Sequence, residues 1–321
     1  MANQRKYFPH GSTLLITTRA RQGLPMPPSH VINFLLWGIL AAARRQFSVR
    51  ICHFLFMSNH FHMLLVVDDP ADVPQFMRYV KSESTTAINR LLGRKRGAIW
   101  DEGYDSPLIL SPSRVLHYIK YIYLNPTRAN LVDSINEYPG VSSWNMFVSN
   151  TFKARHARLP LPMIKRLDSP SVSISEQMRI VAHWESLELE EHELLLEPWA
   201  WAESIPDFDL EHAKRQLLSD ITKIEAAYRR KRKQLRRSVV GATSLRRQSM
   251  LKEHTPDHNG RRSVALCCDR ELKERFLKHY RLLCRRATAV YLKWKSGDLS
   301  ARIPPGLFSP NVPVLASALP L

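Results

Sequence analysis

The sequence predicts an α+β fold of the ferredoxin-like type, an antiparallel sheet whose elements follow the order β-α-β-β-α-β, with helices on one face. Three observations predict it. β-Branched residues dominate residues 12–18, two apolar strand-like runs at 48–57 and 61–67 flank a short polar turn, and helical periodicity fills 30–46 and 73–92. An extended stretch at 98–110 completes the order.

Further elements follow this first set. A helix over 113–124 is predicted to end at Asn125-Pro126, because proline disfavours helical backbone in the residue before it. These elements give a first domain at 1–148. A polar, proline-dotted linker is expected at 149–175, a mainly α-helical basic region at 176–300 with helices near 176–197, 209–237 and 269–295, and an irregular proline-rich tail at 301–321.

Charge limits the classes of partner. The 321 residues carry a formal net charge of +18, which indicates a polyanion, nucleic acid before a membrane surface; a solvated basic face without a partner is the alternative. Four cysteines without a CxxC pair fit a reducing compartment. No signal peptide is apparent and the apolar run 31–43 is too short to span a bilayer, so a cytoplasmic protein without a membrane partner is expected.

Two histidines lie one residue apart in the run MSNHFHMLL. On an extended strand alternate side chains share a face, so His60 and His62 point the same way, and neutral imidazoles so placed can hold one divalent cation. The same spacing also fits two histidines that are satisfied by backbone and water. No second cysteine joins Cys52 near the pair, which disfavours structural zinc.

A second group of polar side chains lies in HYIKYIYLNP. Tyr121 and Asn125 are four residues apart, hence one helical turn apart on one face. A tyrosine hydroxyl, with a pKa of about 10, is a poor nucleophile unless a metal polarises the phosphate that it attacks. Tyr118 and Tyr123 are competitors for this role, and simple packing of the aromatic residues is the other interpretation.

Four segments in this order, MSNHFHMLL, FMRYVKSESTTAINR, AIWDEGYDSPLIL and YIYLNPTRANLV, together resemble the HUH single-tyrosine transposases. The resemblance is closest to the REP-associated tyrosine transposases of bacteria and covers about residues 6–144. It departs from that family in NPTRANLV, where Asn130 stands in place of a glycine.

The resemblance implies a metal-dependent transposase, a single-stranded DNA endonuclease and strand transferase that acts beside DNA hairpins. Tyr121 would form a covalent 5′-phosphotyrosine, and His60, His62 and Asn125 would bind Mg²⁺ or Mn²⁺. The partner would be single-stranded, hairpin or palindromic DNA in the nucleoid, and a monomer and a homodimer both stay open.

Two basic clusters are candidate clamps on the DNA backbone, since lysine and arginine at phosphates supply affinity without sequence preference. They comprise Arg94, Lys95 and Arg96, and Arg229, Arg230, Lys231, Arg232, Lys233, Arg236 and Arg237. Trp100, Tyr104 and Trp144 are possible stacking platforms for bases.

Two rival functions stay open. One is a catalytically idle, domesticated protein that binds hairpin DNA and regulates. The other is a basic RNA-binding protein on the same sheet, which predicts exposed aromatic residues on the strands.

Overall fold

The computed structural model of the protein describes residues 5–255 and 263–308. The strands are β1 (Thr13–Arg19), β2 (Val49–Phe56), β3 (His60–Val67), β4 (Leu108–Ile109), β5 (Lys153–Ala157), β6 (Glu191–Leu195) and β7 (Ala265–Leu266). The helices are α1 (His30–Gln46), α2 (Asp72–Leu91), α3 (Pro112–Arg128), α4 (Trp144–Ser149), α5 (Ile174–Glu185), α6 (Leu210–Gln234), α7 (Ala242–Arg246) and α8 (Arg270–Lys295).

The main sheet has the strand order β2-β3-β1-β4-β7. Neighbouring strands among the first four are antiparallel, so β1-α1-β2 and β3-α2-β4 are two interleaved crossover units, and the predicted ferredoxin-like α+β fold is confirmed. The short β7 adds to β4 in parallel. β4 is only two residues long. The segment that precedes β4 forms two further bridges, from Asp105 to Thr17 of β1 and from Trp100 to Ala20.

Helices cover both faces of the sheet, and this corrects the prediction of helices on one face. Phe61, Met63 and Leu65 of β3 face the core that α1 and α2 complete. The alternate residues Leu64 and Val66 face the core that α3 and α6 complete. The correction matters because the tyrosine-bearing helix α3 packs on the same face of β3 to which His60 and His62 belong by alternation.

A β-bulge in β2 changes which side chains face α3. Ile51 pairs with Leu65 and His53 pairs with Leu64, so Cys52 is an extra residue between them. Without that insertion His53 would face α1, by the period of two along a strand. With it, both Cys52 and His53 are fully buried on the α3 face.

α1 begins where the sequence predicts, because the Ser29 side chain accepts a hydrogen bond from the Ile32 backbone N–H. α3 does not end at Asn125-Pro126 and runs on to Arg128. The proline is only two residues from the end of the helix, where its missing N–H removes a single backbone hydrogen bond. The chain then turns at Asn130, whose φ of 54° is left-handed.

Two further interpretations of the second half need correction. The interval predicted as a linker contains β5, which pairs with β6 in a separate two-stranded sheet. Residues 176–197 are not one helix: α5 ends at Glu185, and β6 follows with alternating exposed and buried residues. The predicted helices 209–237 and 269–295 are confirmed as α6 and α8, capped by Asp209 and Asp269.

The tail is described only as far as residue 308, and there it lacks helix and strand. The rest of the proline-rich tail lies outside the described residues. Among the helices that the structure describes, none is long and apolar enough to cross a membrane. The boundaries of the predicted domains stay predictions.

Candidate nucleic-acid cleavage site

His60 and His62 lie at the start of β3, at the end of the sheet where β1 finishes. Their ring centroids are 5.0 Å apart, as expected for alternate residues that share a face. Arg19 and Thr17 of β1 stand opposite His60 and His62 in the antiparallel register. His62 is almost fully buried and His60 is half-buried, so the pair lines the wall of the site.

Each imidazole is oriented through its Nδ1 atom. The Asn59 Oδ1 lies 2.8 Å from the Nδ1 of His60, and the Thr17 Oγ1 lies 2.9 Å from the Nδ1 of His62. An Nδ1–H that donates to these oxygens leaves a lone pair on Nε2, which is the tautomer that a metal ligand requires. The Nε2 of His62 is buried and has no hydrogen-bond partner.

The surroundings keep both imidazoles neutral. Burial, followed by the positive charges of Arg19 and His254, lowers the pKa of His60 to about 4, against a smaller opposing contribution from a hydrogen bond with Asn125. Burial, then His60, Arg19 and Arg128, lowers the pKa of His62 well below its usual range. Neutral imidazoles at neutral pH keep the lone pairs that bind a cation.

Helix α3 brings Tyr121 and Asn125 to these histidines. The Tyr121 ring centroid lies 5.1 Å from that of His62 in an edge-to-face arrangement. One turn further along α3, the Asn125 side chain interacts with the His60 imidazole, and its Nδ2 is buried without a hydrogen-bond partner. The four residues singled out by the sequence therefore come together at one site.

The three tyrosines of α3 have different surroundings. Tyr123 is fully buried on the sheet side, and its hydroxyl lies 2.7 Å from the Nδ1 of His53 and 2.9 Å from the Oγ of Ser143. Tyr118 lies one turn before Tyr121, at a ring distance of 5.9 Å, and its ring also contacts His117 and the Arg114 guanidinium. Of the three, Tyr121 has the ring contact with the histidine pair.

These residues fit a divalent cation. Two neutral imidazoles and an amide oxygen converge from a strand and a helix, and the unpartnered Nε2 of His62 is the kind of buried atom that a ligand would satisfy. Within the described part of the chain, no group of three or more His, Cys, Asp and Glu side chains could hold a metal ion.

The first basic cluster leads into the site end of the sheet. Arg94, Lys95 and Arg96 are exposed beyond the end of α2. A few residues later the chain joins β1, where the Arg21 N–H donates to the Ile99 carbonyl at 2.7 Å and the Asp101 N–H donates to the Arg19 carbonyl at 2.9 Å.

The second basic cluster lies beside the end of α3. Arg232 is buried: it forms an ion pair with Asp133 and donates to the Thr127 carbonyl at 3.1 Å. The prediction that Arg232 contacts the DNA backbone is therefore corrected. Its buried guanidinium instead joins α6 to the end of α3. The other members of the cluster, Arg229, Arg230, Lys231, Lys233, Arg236 and Arg237, are exposed.

Two of the three possible stacking platforms are core residues. Trp100 is 5% exposed, packs edge-to-face on Phe61 and donates to the Ser84 Oγ. Trp144 is 6% exposed and packs on Tyr123. Tyr104 is partly buried beneath the Lys6 ammonium group, 3.5 Å from its ring centroid.

Two residues at the site escaped the sequence interpretation. Thr17 orients His62, but its position opposite that histidine depends on the strand register. The Arg128 guanidinium carbon lies 5.0 Å from the Tyr121 ring centroid. A spacing of seven residues, two helical turns, is a signal that could have placed Arg128 on the face of Tyr121.

A comparison with known protein families finds a match over the segment that holds the site. Residues 29–125 match the family model described as transposase IS200 like, and this segment contains His60, His62, Tyr121 and Asn125. This segment is thus similar to IS200-like transposases, and the match bears out the resemblance to the HUH single-tyrosine transposases at the level of the superfamily.

One solved structure, a REP-associated tyrosine transposase bound to a REP hairpin, shares 21% sequence identity with this chain and aligns with it at a TM-score of 0.40. The match covers 50% of this chain and 90% of that chain. No curated protein matches the chain.

Proposed function

We propose that this protein is a metal-dependent, single-strand-specific DNA endonuclease and strand transferase. It acts beside DNA hairpins through a covalent 5′-phosphotyrosine. One observation carries the proposal: the Tyr121 ring lies 5.1 Å from the buried imidazole of His62, whose Nε2 has no partner. A potential nucleophile thereby lies beside a pair of potential metal ligands.

Tyr121 is the nucleophile in this reaction. Its hydroxyl oxygen attacks the scissile phosphorus, the P–O3′ bond breaks, and the phenolic proton replaces that bond on the departing 3′ oxygen, directly or through water. The DNA then carries a free 3′-OH and a 5′-phosphate joined to Tyr121. Since the phosphotyrosine conserves the phosphodiester bond energy, a 3′-OH can reverse the step and join a new strand without ATP.

His60, His62 and Asn125 hold Mg²⁺ or Mn²⁺ in this proposal. A bound cation would polarise the scissile phosphate and offset the negative charge that develops on it. The chain itself contributes the orientation of the ligands, through the hydrogen bonds of Asn59 to His60 and of Thr17 to His62.

The exposed basic residues contact the phosphate backbone. Arg94, Lys95 and Arg96 lie a few residues before the segment that pairs with the end of β1. The exposed residues of the second cluster lie on and just after α6, beside the end of α3. In this proposal both clusters neutralise the phosphates of a strand bound at the site. Arg232 is left out of this set because Asp133 already neutralises it.

The motif order of the REP-associated family supports hairpins from repetitive palindromes as the substrate, and a chromosomal substrate implies action in the nucleoid. The rival RNA-binding function finds less support. Phe54, Phe56 and Phe61, the aromatic residues on the described strands of the main sheet, are buried and so offer no platform to RNA bases.

The test is adduct formation. The protein is incubated with Mg²⁺ or Mn²⁺ and labelled genomic palindromes that carry single-stranded flanks, and a covalent protein–DNA adduct is sought on a denaturing gel. We expect an adduct in the wild type, none in Tyr121→Phe, and adducts in Tyr118→Phe and Tyr123→Phe. An adduct that persists in Tyr121→Phe would reject the nucleophile, and tight hairpin binding without any adduct would favour the idle regulatory protein.

A further inference from the structure

Arg128 lies two turns after Tyr121 on the same side of α3. Its guanidinium carbon is 5.0 Å from the centroid of the Tyr121 ring, within the range of a cation–π contact. The side chain is exposed, so a strand of DNA at Tyr121 would also meet Arg128.

The charge of Arg128 also acts on the residues before Tyr121. After burial, Arg114 and Lys120, it contributes to the lowered pKa of His117, one turn before Tyr121 on α3.

Among the described residues Arg128 has no carboxylate partner, unlike Lys120 and Arg232. Lys120 pairs with Asp220 at 2.6 Å, and Arg232 pairs with Asp133, which Arg229 also approaches at 3.8 Å. No such ion pair engages Arg128 within residues 5–255 and 263–308. An exposed guanidinium held over an aromatic ring, with its charge uncompensated, offers a bidentate donor to an incoming phosphate.

We propose that Arg128 is a further catalytic residue, which binds a non-bridging oxygen of the scissile phosphate at Tyr121. This inference rests on the proposed function. As the Tyr121 oxygen–phosphorus bond forms and the P–O3′ bond breaks, negative charge grows on the non-bridging oxygens, and the guanidinium stabilises it. Arg128 gives and takes no proton, because arginine stays protonated throughout.

The stack on Tyr121 gives this role its geometry. A guanidinium in contact with the ring lies beside the phenol, so in this proposal it approaches the phosphorus from the side of the nucleophile. The buried and unpartnered Nδ2 of Asn125 lies on the same face, one turn from both residues. The alternative is that Arg128 only holds the Tyr121 ring in place. The two roles differ in whether the effect of Arg128 on the rate of adduct formation depends on the charge of the scissile phosphate.

The experiment compares two linkages. The full-length protein is given a flanked hairpin that the wild type cleaves, either with an ordinary scissile phosphodiester or with a neutral methylphosphonate at that position. Single-turnover adduct formation and DNA affinity are measured for the wild type, Arg128→Gln and Arg128→Lys. Arg270→Gln is the charge-matched control, because Arg270 lies on α8 with its side chain 92% exposed.

On the phosphodiester, we expect Arg128→Gln to slow adduct formation about 100- to 1000-fold, the usual loss for one donor to a developing oxyanion. Affinity for DNA should fall less than about tenfold, since one phosphate contact is lost among many. On the methylphosphonate, the two proteins should differ by less than about tenfold. Arg128→Lys should lie between the wild type and Arg128→Gln, and Arg270→Gln should match the wild type.

Equal losses on both linkages would overturn the proposal and assign Arg128 to positioning of the ring. An unchanged rate in Arg128→Gln would also overturn it. If the wild type binds hairpins but forms no adduct, the proposed cleavage fails, and affinity then decides the inference. A methylphosphonate scan should find one linkage at which the affinity difference between wild type and Arg128→Gln disappears, and the absence of any such linkage would reject a phosphate contact.

Discussion

At the scale of single residues, the hydroxyl of Tyr123 has a structural use. The Pro198 carbonyl can only accept, so the Nε2 of His53, 3.2 Å away, carries the proton and its Nδ1 accepts from Tyr123. Ser143 donates to Tyr123 in turn. Burial raises the pKa of Tyr123. This hydroxyl is committed to the core and unsuited to attack on DNA.

Tyr123→Phe should lower the free energy of unfolding by about 1–3 kcal/mol, because it leaves the buried Nδ1 of His53 without a partner. Tyr121→Phe should change that free energy by less than about 0.5 kcal/mol, since Tyr121 is only partly buried. Urea denaturation of both variants provides the measurement. A larger loss in Tyr121→Phe than in Tyr123→Phe would contradict the assignment.

His53 should make stability depend on pH. Burial lowers its pKa to about 3, whereas in the unfolded chain it should titrate near 6.5. Between these values the unfolded state binds more protons, so stability is full above about pH 6.5 and falls on acidification, with a slope for this group of up to about 1.4 kcal/mol per pH unit.

The contribution of His53 is isolated by comparing urea midpoints across pH 4 to 8 for the wild type and His53→Gln. The variant is expected to be less stable at pH 8 and to show a shallower decline towards acid. Parallel declines in the two proteins would show that other groups carry the pH dependence.

At the scale of elements, local spacing predicted the site better than it predicted the strands. His60 and His62 on one strand, and Tyr121 and Asn125 on one helix, depend on periods that any strand or helix obeys. The bulge at Cys52 and the pairing of β6 depend on partners distant in sequence, such as Leu64 and β5. For β6 the alternation of His192 and Leu194 was available, but glutamate-rich composition favoured a helix.

The end of α3 supplies a prediction about Asn130. Its φ of 54° is the left-handed conformation, which glycine and asparagine tolerate and other residues resist. This explains how asparagine replaces the glycine of the related motif. Asn130→Gly should leave stability within a few tenths of a kcal/mol, and Asn130→Ala should lower it by about 1–2 kcal/mol. Thermal denaturation measures both, and an equally stable alanine variant would contradict the backbone argument.

At the scale of the whole molecule, the two halves of the chain share their cores. Leu194 and Leu196 complete the core with α1 and α2, and Trp201 and Leu217 complete the core with α3. The sequence could place a boundary at 148 from composition, but composition carries no information about which surfaces later pack together.

A fragment of residues 1–148 is therefore expected to fail as an independent unit. It would expose the apolar surface of α1 and α3 that the second half covers, and lose the Arg232 contact at the end of α3. Expression of the fragment beside the full chain, with solubility and the sharpness of thermal unfolding as readouts, checks this. A soluble fragment that unfolds cooperatively would establish the first domain as autonomous.

The parallel strand β7 also has a consequence during synthesis of the protein. Leu108 and Ile109 pair with Ala265 and Leu266, so one edge of the main sheet stays open on the ribosome until most of the chain has been translated. The other neighbour of β4, strand β1, is translated much earlier. A nascent chain can therefore bring Tyr121 to the histidine pair while that edge is uncovered, and β7, translated in the last fifth of the chain, then covers the β4 edge against pairing with other chains.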